Sequence, residues 1–149
     1  MFDFVFDNVR RSHLAIMGST GSGKSTYLSK ILDSQIERGY VKPENIHVFM
    51  PSSNTVDFAQ YNKHSNFKDI FPRLWQNYTT NNEHCFIIFD DFNDDKSVVN
   101  MRQEDDLILK LFNQGRKFHI HAIILGHNPS QSIGVNIKNS IYYFVYFPN

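Results

Sequence analysis

A glycine-rich stretch between an apolar run and a helical pattern constrains this chain more than any other feature. It reads Gly18-Ser19-Thr20-Gly21-Ser22-Gly23-Lys24-Ser25 and fits the pattern G-x-x-x-x-G-K-[S/T]. In such a loop the backbone N–H groups curl around a phosphate tail, and the following helix points the positive end of its dipole at the same anion. The stretch therefore predicts a phosphate-binding loop, with the other elements arranged around it.

The residue types in this loop predict a role for each part of it. We expect Lys24 to hold the β- and γ-phosphates, and the Ser25 hydroxyl to ligate Mg²⁺. The predicted nucleotide contacts come from consecutive positions, which are Gly18, Ser19, Thr20, Gly21, Ser22, Gly23, Lys24, Ser25 and Thr26. A nucleoside triphosphate with its metal ion, ATP and Mg²⁺, is the ligand that this chemistry indicates.

Composition limits what such a site can be attached to. We expect residues 1–149 to form one domain, since this length supports a single sizeable core. Fifteen basic and fifteen acidic residues cancel, so any contact with nucleic acid must be local. The single cysteine, Cys85, lies in an apolar run and is typical of a core residue in a reducing compartment. The apolar runs are too short for a bilayer, so we expect a cytoplasmic protein without a membrane partner.

Alternating strand and helix patterns predict an α/β fold with a mostly parallel five-stranded sheet and helices on both faces. The five predicted strands are Leu14 to Met17, Ile46 to Met50, Cys85 to Asp90, Phe118 to Leu125 and Ile141 to Phe147. The alternating segment from Phe2 to Phe6 indicates one more strand with a single buried face.

Apolar residues at helical spacing predict three helices between the strands. The first follows the glycine loop and ends at a C-terminal cap on Gly39. The second is expected to begin near Pro72 and to be followed by a loop from Asn77 to Asn82. The third is expected to have Asn100 as its N-cap and Gly115 as its C-cap.

Polar residues follow two of the predicted strands. Asp90 and Asp91 end a buried strand, and His127 and Asn128 come after the next strand along the chain. The carboxyl ends of parallel strands meet at one edge of a sheet, where ligands bind. Asp90 is therefore expected to hold the Mg²⁺ ion, and Asp91 to orient and deprotonate the attacking water. His127 or Asn128 is a candidate sensor of the γ-phosphate.

The residues in several of these stretches resemble a known family. The glycine loop, the strand that ends in two aspartates and a later helix end look like the poxvirus-type genome-packaging ATPases of large DNA viruses. The stretches that carry this resemblance are Leu14 to Leu28, Ile87 to Asp91 and Leu111 to Lys117. Three more, Arg116 to His121, Pro129-Ser130 and Ile137 to Asn139, are similar to the wider FtsK/HerA group of DNA translocases. The resemblance runs from Leu14 to Phe147, apart from Thr55 to Asn82.

The resemblance implies a RecA/ASCE-like P-loop NTPase that assembles into a ring. ATP hydrolysis would drive double-stranded DNA into a preformed capsid, with capsid or portal proteins as partners, in the host cytoplasm or the virion. It also places an arginine finger at Arg116, on the sheet edge opposite the catalytic one, where it would serve a neighbouring subunit. The alternative for Arg116 is a surface arginine paired with an acid.

Three departures from the family pattern bear on activity. His127 occupies the position where glutamine is usual, and Asp91 occupies the position where glutamate is frequent. Relatives also continue beyond the fifth predicted strand, which suggests a fragment or a minimal member. Two other functions therefore stay open, a nucleotide-binding switch or structural subunit with little hydrolysis, and a small phosphotransferase. The phosphotransferase would need arginines around an acceptor, and none clusters near the glycine loop.

Overall fold

A parallel six-stranded sheet with helices on both faces forms the framework of the protein. The computed structural model describes residues 13–19, 21–50, 58–90, 106–126 and 133–147. The strands are β1 (Leu14–Met17), β2 (Ile46–Phe49), β3 (Asn62–His64), β4 (Cys85–Asp90), β5 (Ile120–Gly126) and β6 (Tyr143–Tyr146). The helices are α1 (Lys24–Glu37), α2 (Phe67–Asn81), α3 (Asp106–Gln114) and α4 (Val135–Ser140).

The strands lie in the order β3-β2-β4-β5-β1-β6, and each pair is parallel. Strands β1, β2, β4 and β5 are apolar throughout most of their length and buried, as expected where helices cover both faces of a sheet. Helix α1 packs on one face, whereas α2, α3 and α4 pack on the other. Strand β5 lies between β1 and β4 and so separates the glycine loop from the strand that carries Asp90.

The sheet has six strands and not the five predicted. The additional strand is β3, only three residues long, polar, and paired with β2 at the edge of the sheet. Its residues, Asn62–His64, lack the apolar alternation that marks a half-buried strand, so the sequence carries no signal for it. The segments predicted from Phe2 to Phe6 and around Asn100 lie outside the described residues.

Helix α2 begins earlier and ends later than predicted. Asn66 caps it, because its side-chain oxygen accepts a hydrogen bond from the Asp69 amide at 3.2 Å, so Pro72 lies in the second turn and not at the start. Buried Phe67 and Phe71, one turn apart, stack at 4.7 Å and anchor this first part on the sheet. That packing outweighs the backbone hydrogen bond that a proline inside a helix removes.

The predicted loop from Asn77 to Asn82 is wrong, since α2 continues through most of it. Tyr78 in this stretch is buried, and its hydroxyl donates to Asn45 at 3.0 Å. Asn82 then ends the helix in the left-handed conformation, with a φ of 59°. Asparagine prefers turns, but this local preference is weak compared with tertiary packing. Here the burial of Tyr78 stabilises the helical conformation.

The two predicted C-terminal caps have different outcomes. Gly39 has a φ of +76°, and the amides of Gly39 and Tyr40 donate to the carbonyls of Ile36 and Gln35, which is the Schellman arrangement. Gly115 does follow the last residue of α3, but it begins a 3₁₀ turn, Gly115–Phe118, and is not a left-handed cap. A Cβ at Gly115 would lie 2.8 Å from the Ile120 carbonyl oxygen, so this glycine permits close approach of the turn to β5.

His13 joins three elements at the amino-terminal edge of the sheet. Its Nδ1 accepts from the Ala122 amide of β5 at 2.9 Å, and its Nε2 donates to the Phe112 carbonyl of α3 at 3.0 Å. Its own carbonyl accepts from the amides of Tyr142 and Tyr143, where β6 begins. Both ring nitrogens are thus used by the neutral imidazole, with the proton on Nε2.

Burial holds three histidines in the neutral form. It lowers the pKa of His13 to about 3, with the positive charge of Arg116 adding to the effect. It lowers the pKa of His47 to about 4, with His64 adding to the effect, and it holds the pKa of His121 well below its ordinary value. Because the unfolded chain binds more protons below pH 6.5 than the folded one, acid favours unfolding.

We therefore expect a steep loss of stability in mild acid. The contribution of the neutral histidines to the free energy of unfolding should be fully present above pH 6.5. It should be lost progressively as the pH falls toward about 3. Between pH 6 and pH 5 the free energy of unfolding should drop by on the order of 2–4 kcal/mol, since each histidine contributes up to about 1.4 kcal/mol per pH unit. Urea unfolding across this range measures the slope. His121→Phe should reduce the slope, and an unchanged slope in that variant would contradict the assignment.

Candidate functional site

The glycine loop connects β1 to α1 in a conformation that only glycine adopts freely. Gly21 and Gly23 have φ values of +80° and +100°, and Gly23 is the N-cap of α1. The first intrahelical bond runs from the Tyr27 amide to the Gly23 carbonyl at 2.9 Å. The helix itself therefore leaves the amides of its first turn without carbonyl partners, and no acidic side chain lies in that turn.

Lys24 reaches back across this loop. Its Nζ donates to the carbonyl of Gly18 and, at 3.1 Å, to the carbonyl of Gly126, the last residue of β5. The Gly18 amide donates to the same Gly126 oxygen at 3.0 Å. The ammonium group is thereby held over the loop, between its first residue and the end of the neighbouring strand.

Two further observations concern the space inside the loop. The buried Ser22 Oγ has no hydrogen-bond partner among the described residues, although it is a strong donor. A Cβ at Gly18 would lie 2.9 Å from that oxygen and 2.8 Å from the Cβ of Phe147, so the space is open only to glycine. A triphosphate oxygen would satisfy Ser22 and the first-turn amides together. Thr20, also predicted to bind the nucleotide, lies outside the described residues.

Asp90 stands at the same edge of the sheet as the loop. It is the last residue of β4 and alternates with Phe86 and Ile88, which face α1, so its side chain faces α1 as well. Register aligns Asp90 with Leu125 of β5 and, through it, with Ile16 of β1. Two strand spacings, about 10 Å, therefore separate Asp90 from β1.

The side chains of Ser25 and Asp90 suit a magnesium ion. Ser25 is the second residue of α1, and both Ser25 and Asp90 are only partly buried at this edge of the sheet. Hard oxygen ligands with several retained waters are what Mg²⁺ prefers. Asp91 and His127 lie outside the described residues. Each directly follows a residue at this edge, Asp90 and Gly126 respectively.

Arg116 lies at the opposite edge. It belongs to the 3₁₀ turn that precedes β5, and β5 then spans seven residues, about 20 Å, before it reaches the glycine loop. Its charge acts on His13, which lies at that same amino-terminal edge. Among the residues that the structure describes, Arg116 forms no ion pair, whereas Lys42 and Glu83 form one at 2.8 Å. Arg116 thus lies too far from the glycine loop of its own chain to contact a phosphate there.

The structure brings one residue to the loop that the sequence did not single out. The Phe147 amide donates to the Met17 carbonyl at 2.8 Å, and its ring meets Tyr27 of α1 edge to face at 5.3 Å. Phe147 follows β6, which is last in the chain but lies directly beside β1 in the sheet. The strand order creates this contact, and no local pattern in the sequence encodes that order.

A second cluster of ionisable groups lies away from the loop. His84 and His121 are joined at 3.1 Å, and His119 packs against His84 at a ring distance of 4.5 Å. Within the described parts of the chain, no group of three or more histidine, cysteine or acidic side chains has the geometry of a metal site. Cys85 is buried, which raises the pKa of its thiol well above the ordinary value and leaves it unreactive.

Comparison with known proteins supports the P-loop NTPase fold. The model of the FtsK/SpoIIIE family matches residues 3–67, which is less than half of the chain. No curated protein sequence matches this chain. None of the helices in the described ranges is both long and apolar enough to cross a bilayer.

Solved structures cover most of the chain. The cytoplasmic domain of EssC superposes with a TM-score of 0.66 and 17% identity, over 92% of this chain and 31% of that one. The genome-packaging NTPase B204 of Sulfolobus turreted icosahedral virus 2, bound to ATP-γ-S, superposes with a TM-score of 0.65 and 12% identity, over 90% and 73%. The chain thus spans about a third of the EssC domain. At these identities the similarity establishes the fold.

The crowding at Gly18 generates a prediction about the loop. Gly18→Ala should weaken ATP binding at least about tenfold, because the new methyl group would press on Phe147 and Ser22 and displace the loop. Gly39→Ala is the matched control, since it strains a positive φ but meets nothing within 4 Å. Both variants should lower the melting temperature, but only Gly18→Ala should change the affinity measured by calorimetry. Equal affinities would show that the loop tolerates the methyl group.

Proposed function

We propose that the protein is an ATPase whose catalytic site is the edge of the sheet at the glycine loop. The observation that carries this proposal is the position of Asp90, which shares the edge and the α1 face with Lys24 and Ser25. A phosphate loop alone would only bind an anion. A carboxylate across one intervening strand adds the group needed to hold a metal ion beside the terminal phosphates.

Each residue has a distinct task in this proposal. Lys24 holds the β- and γ-phosphates, and the amides and side chains from Gly18 to Thr26 enclose the phosphate tail. Ser25 and Asp90 hold Mg²⁺, which would neutralise charge on the phosphates when bound. Asp91 orients and deprotonates the attacking water, and His127 senses the γ-phosphate. The shorter side chain of Asp91, compared with glutamate, is expected to limit the rate.

We further propose that hydrolysis moves double-stranded DNA, and that the setting is the packaging of viral DNA into a capsid. The family-model match to FtsK/SpoIIIE and the likeness to a viral genome-packaging NTPase support this choice. Capsid or portal proteins would then be partners, in the cytoplasm of the host. We take residues 1–149 as one ATPase domain of this motor.

The position of Arg116 favours an assembly in which subunits complete each other's sites. Arg116 lies about 20 Å from the loop of its own chain, beyond the reach of one side chain. A ring of copies would bring it to a neighbour's γ-phosphate, where an arginine finger accelerates hydrolysis by about a thousandfold or more.

Phosphate release with and without double-stranded DNA tests the function. We expect hydrolysis that DNA stimulates, and Lys24→Ala should abolish it because the phosphates lose their main positive charge. Lys30→Ala, an exposed lysine on the same helix, is the control and should keep the wild-type rate. Unchanged turnover in Lys24→Ala would exclude this site as the enzyme centre. Binding without hydrolysis would favour the nucleotide switch instead.

Mixing experiments test catalysis between subunits. Arg116→Ala and Lys24→Ala should each be inactive alone, but mixed rings should recover part of the activity, since some interfaces pair an intact loop with an intact arginine. Lys117→Ala, the neighbouring exposed cation in the same turn, should be active alone. Failure to recover in rings shown to be mixed would count against the role of Arg116 in a neighbour's site.

A further inference from the structure

Tyr27 and Phe147 form an aromatic pair beside the glycine loop. Their ring centroids are 5.3 Å apart, with an interplanar angle of 72°. The ring of Phe147 also lies against the loop, because its Cε2 is 3.7 Å from the position that a Cβ of Gly23 would occupy. Both rings are only partly buried, so each keeps an accessible surface next to the loop.

This aromatic pair and Asp90 lie on opposite sides of the loop. Strand β4, which carries Asp90, is separated from β1 by β5, whereas β6, which leads into Phe147, adjoins β1 on its other side. Phe147 packs with the α1 face of the sheet, as Tyr27 does. The alternation along β4 gives Asp90 the same face. The three side chains therefore border one surface, with the loop in the middle.

This layout fixes the direction in which a bound nucleotide runs. If Ser25 and Asp90 hold a magnesium ion as proposed, the terminal phosphates of the nucleotide would lie on the β4 side of the loop. The α-phosphate and the nucleoside must then leave the loop on the other side, toward β6. The groups that meet them there are the two aromatic rings.

We propose that Tyr27 and Phe147 form the subsite that stacks on the nucleobase of the bound triphosphate, an inference that rests on the proposed function. Every base has a π-face, and an aromatic side chain gains contact energy from it without a specific hydrogen bond. Phe147 is also held before the base binds, since its amide donates to the Met17 carbonyl at 2.8 Å and its ring packs on Tyr27 at 5.3 Å. Little conformational entropy is then lost when the base binds.

Two ligands show whether Tyr27 and Phe147 stack on the nucleobase or only support the conformation of the glycine loop. ATP and inorganic tripolyphosphate, each with Mg²⁺, share the phosphate tail, but only ATP has a base. Tyr27→Leu and Phe147→Leu remove the rings and keep apolar volume. Phe144→Leu is the matched control, because Phe144 lies on β6 but packs on the opposite face of the sheet. Calorimetric titration gives the affinities, and thermal unfolding confirms that each variant is folded.

We expect Tyr27→Leu and Phe147→Leu to weaken ATP binding about five- to one-hundredfold and to leave tripolyphosphate binding unchanged within about twofold. Phe147→Trp should restore the affinity for ATP, and Phe144→Leu should change neither ligand. An equal loss for both ligands would show that the rings only support the loop, and unchanged ATP affinity would show no contact with the base. Either result overturns the inference. Wild-type protein that binds neither ligand would instead refute the proposed function itself, before any variant is compared.

Discussion

The carbonyl oxygen of Gly126 is the point on which the geometry of the site depends. It accepts from the Gly18 amide and from the Lys24 ammonium group, and these two bonds connect the end of β5 to both ends of the glycine loop. Without them the loop would be fixed only through β1 and α1. With them, the Lys24 ammonium group is held between Gly18 and Gly126, and β5 ends next to the glycine loop.

A similar junction holds the other end of β5. There His13 connects β5, α3 and the start of β6 through hydrogen bonds to both ring nitrogens and to its carbonyl. Strand β5 is therefore pinned at its first residues by a neutral histidine and at its last residue by a positively charged lysine. Arg116 lies just before one junction and the glycine loop lies at the other.

Those parts of the fold that depend on local pattern could be predicted from the sequence. The buried strands, helix α1, its cap at Gly39 and the parallel α/β architecture all follow from apolar runs, helical spacing and glycine chemistry. The extent of α2 could not be predicted, because burial of Phe67 and Tyr78 overrides the tendencies of Pro72 and the asparagines. Strand β3 has no pattern of its own and forms because β2 offers it an edge.

For the site, the sequence predicted the loop and its neighbouring aspartate but not the side chains that complete its surroundings. Gly18 and Lys24 are recognisable from spacing alone. Phe147 is not, since its place beside the loop depends on β6 lying next to β1, which is a property of strand order. Ser22 fits the loop pattern at a position where any residue is allowed, yet its buried hydroxyl is one of the features that suit the loop to an anion.

The strand order also governs how the site can form during synthesis. Both neighbours of β1, the strands β5 and β6, come after β2, β3 and β4 in the sequence, and the contact between Lys24 and Gly126 joins residues 102 positions apart. During synthesis, the backbone groups of β1 that bond to these two strands therefore stay unpaired until residues 120–146 have been translated. Folds rich in such distant pairings reach the native state slowly. Until then β1 is an unpaired strand that can aggregate, and the hydrogen bond that holds Lys24 over the glycine loop cannot form.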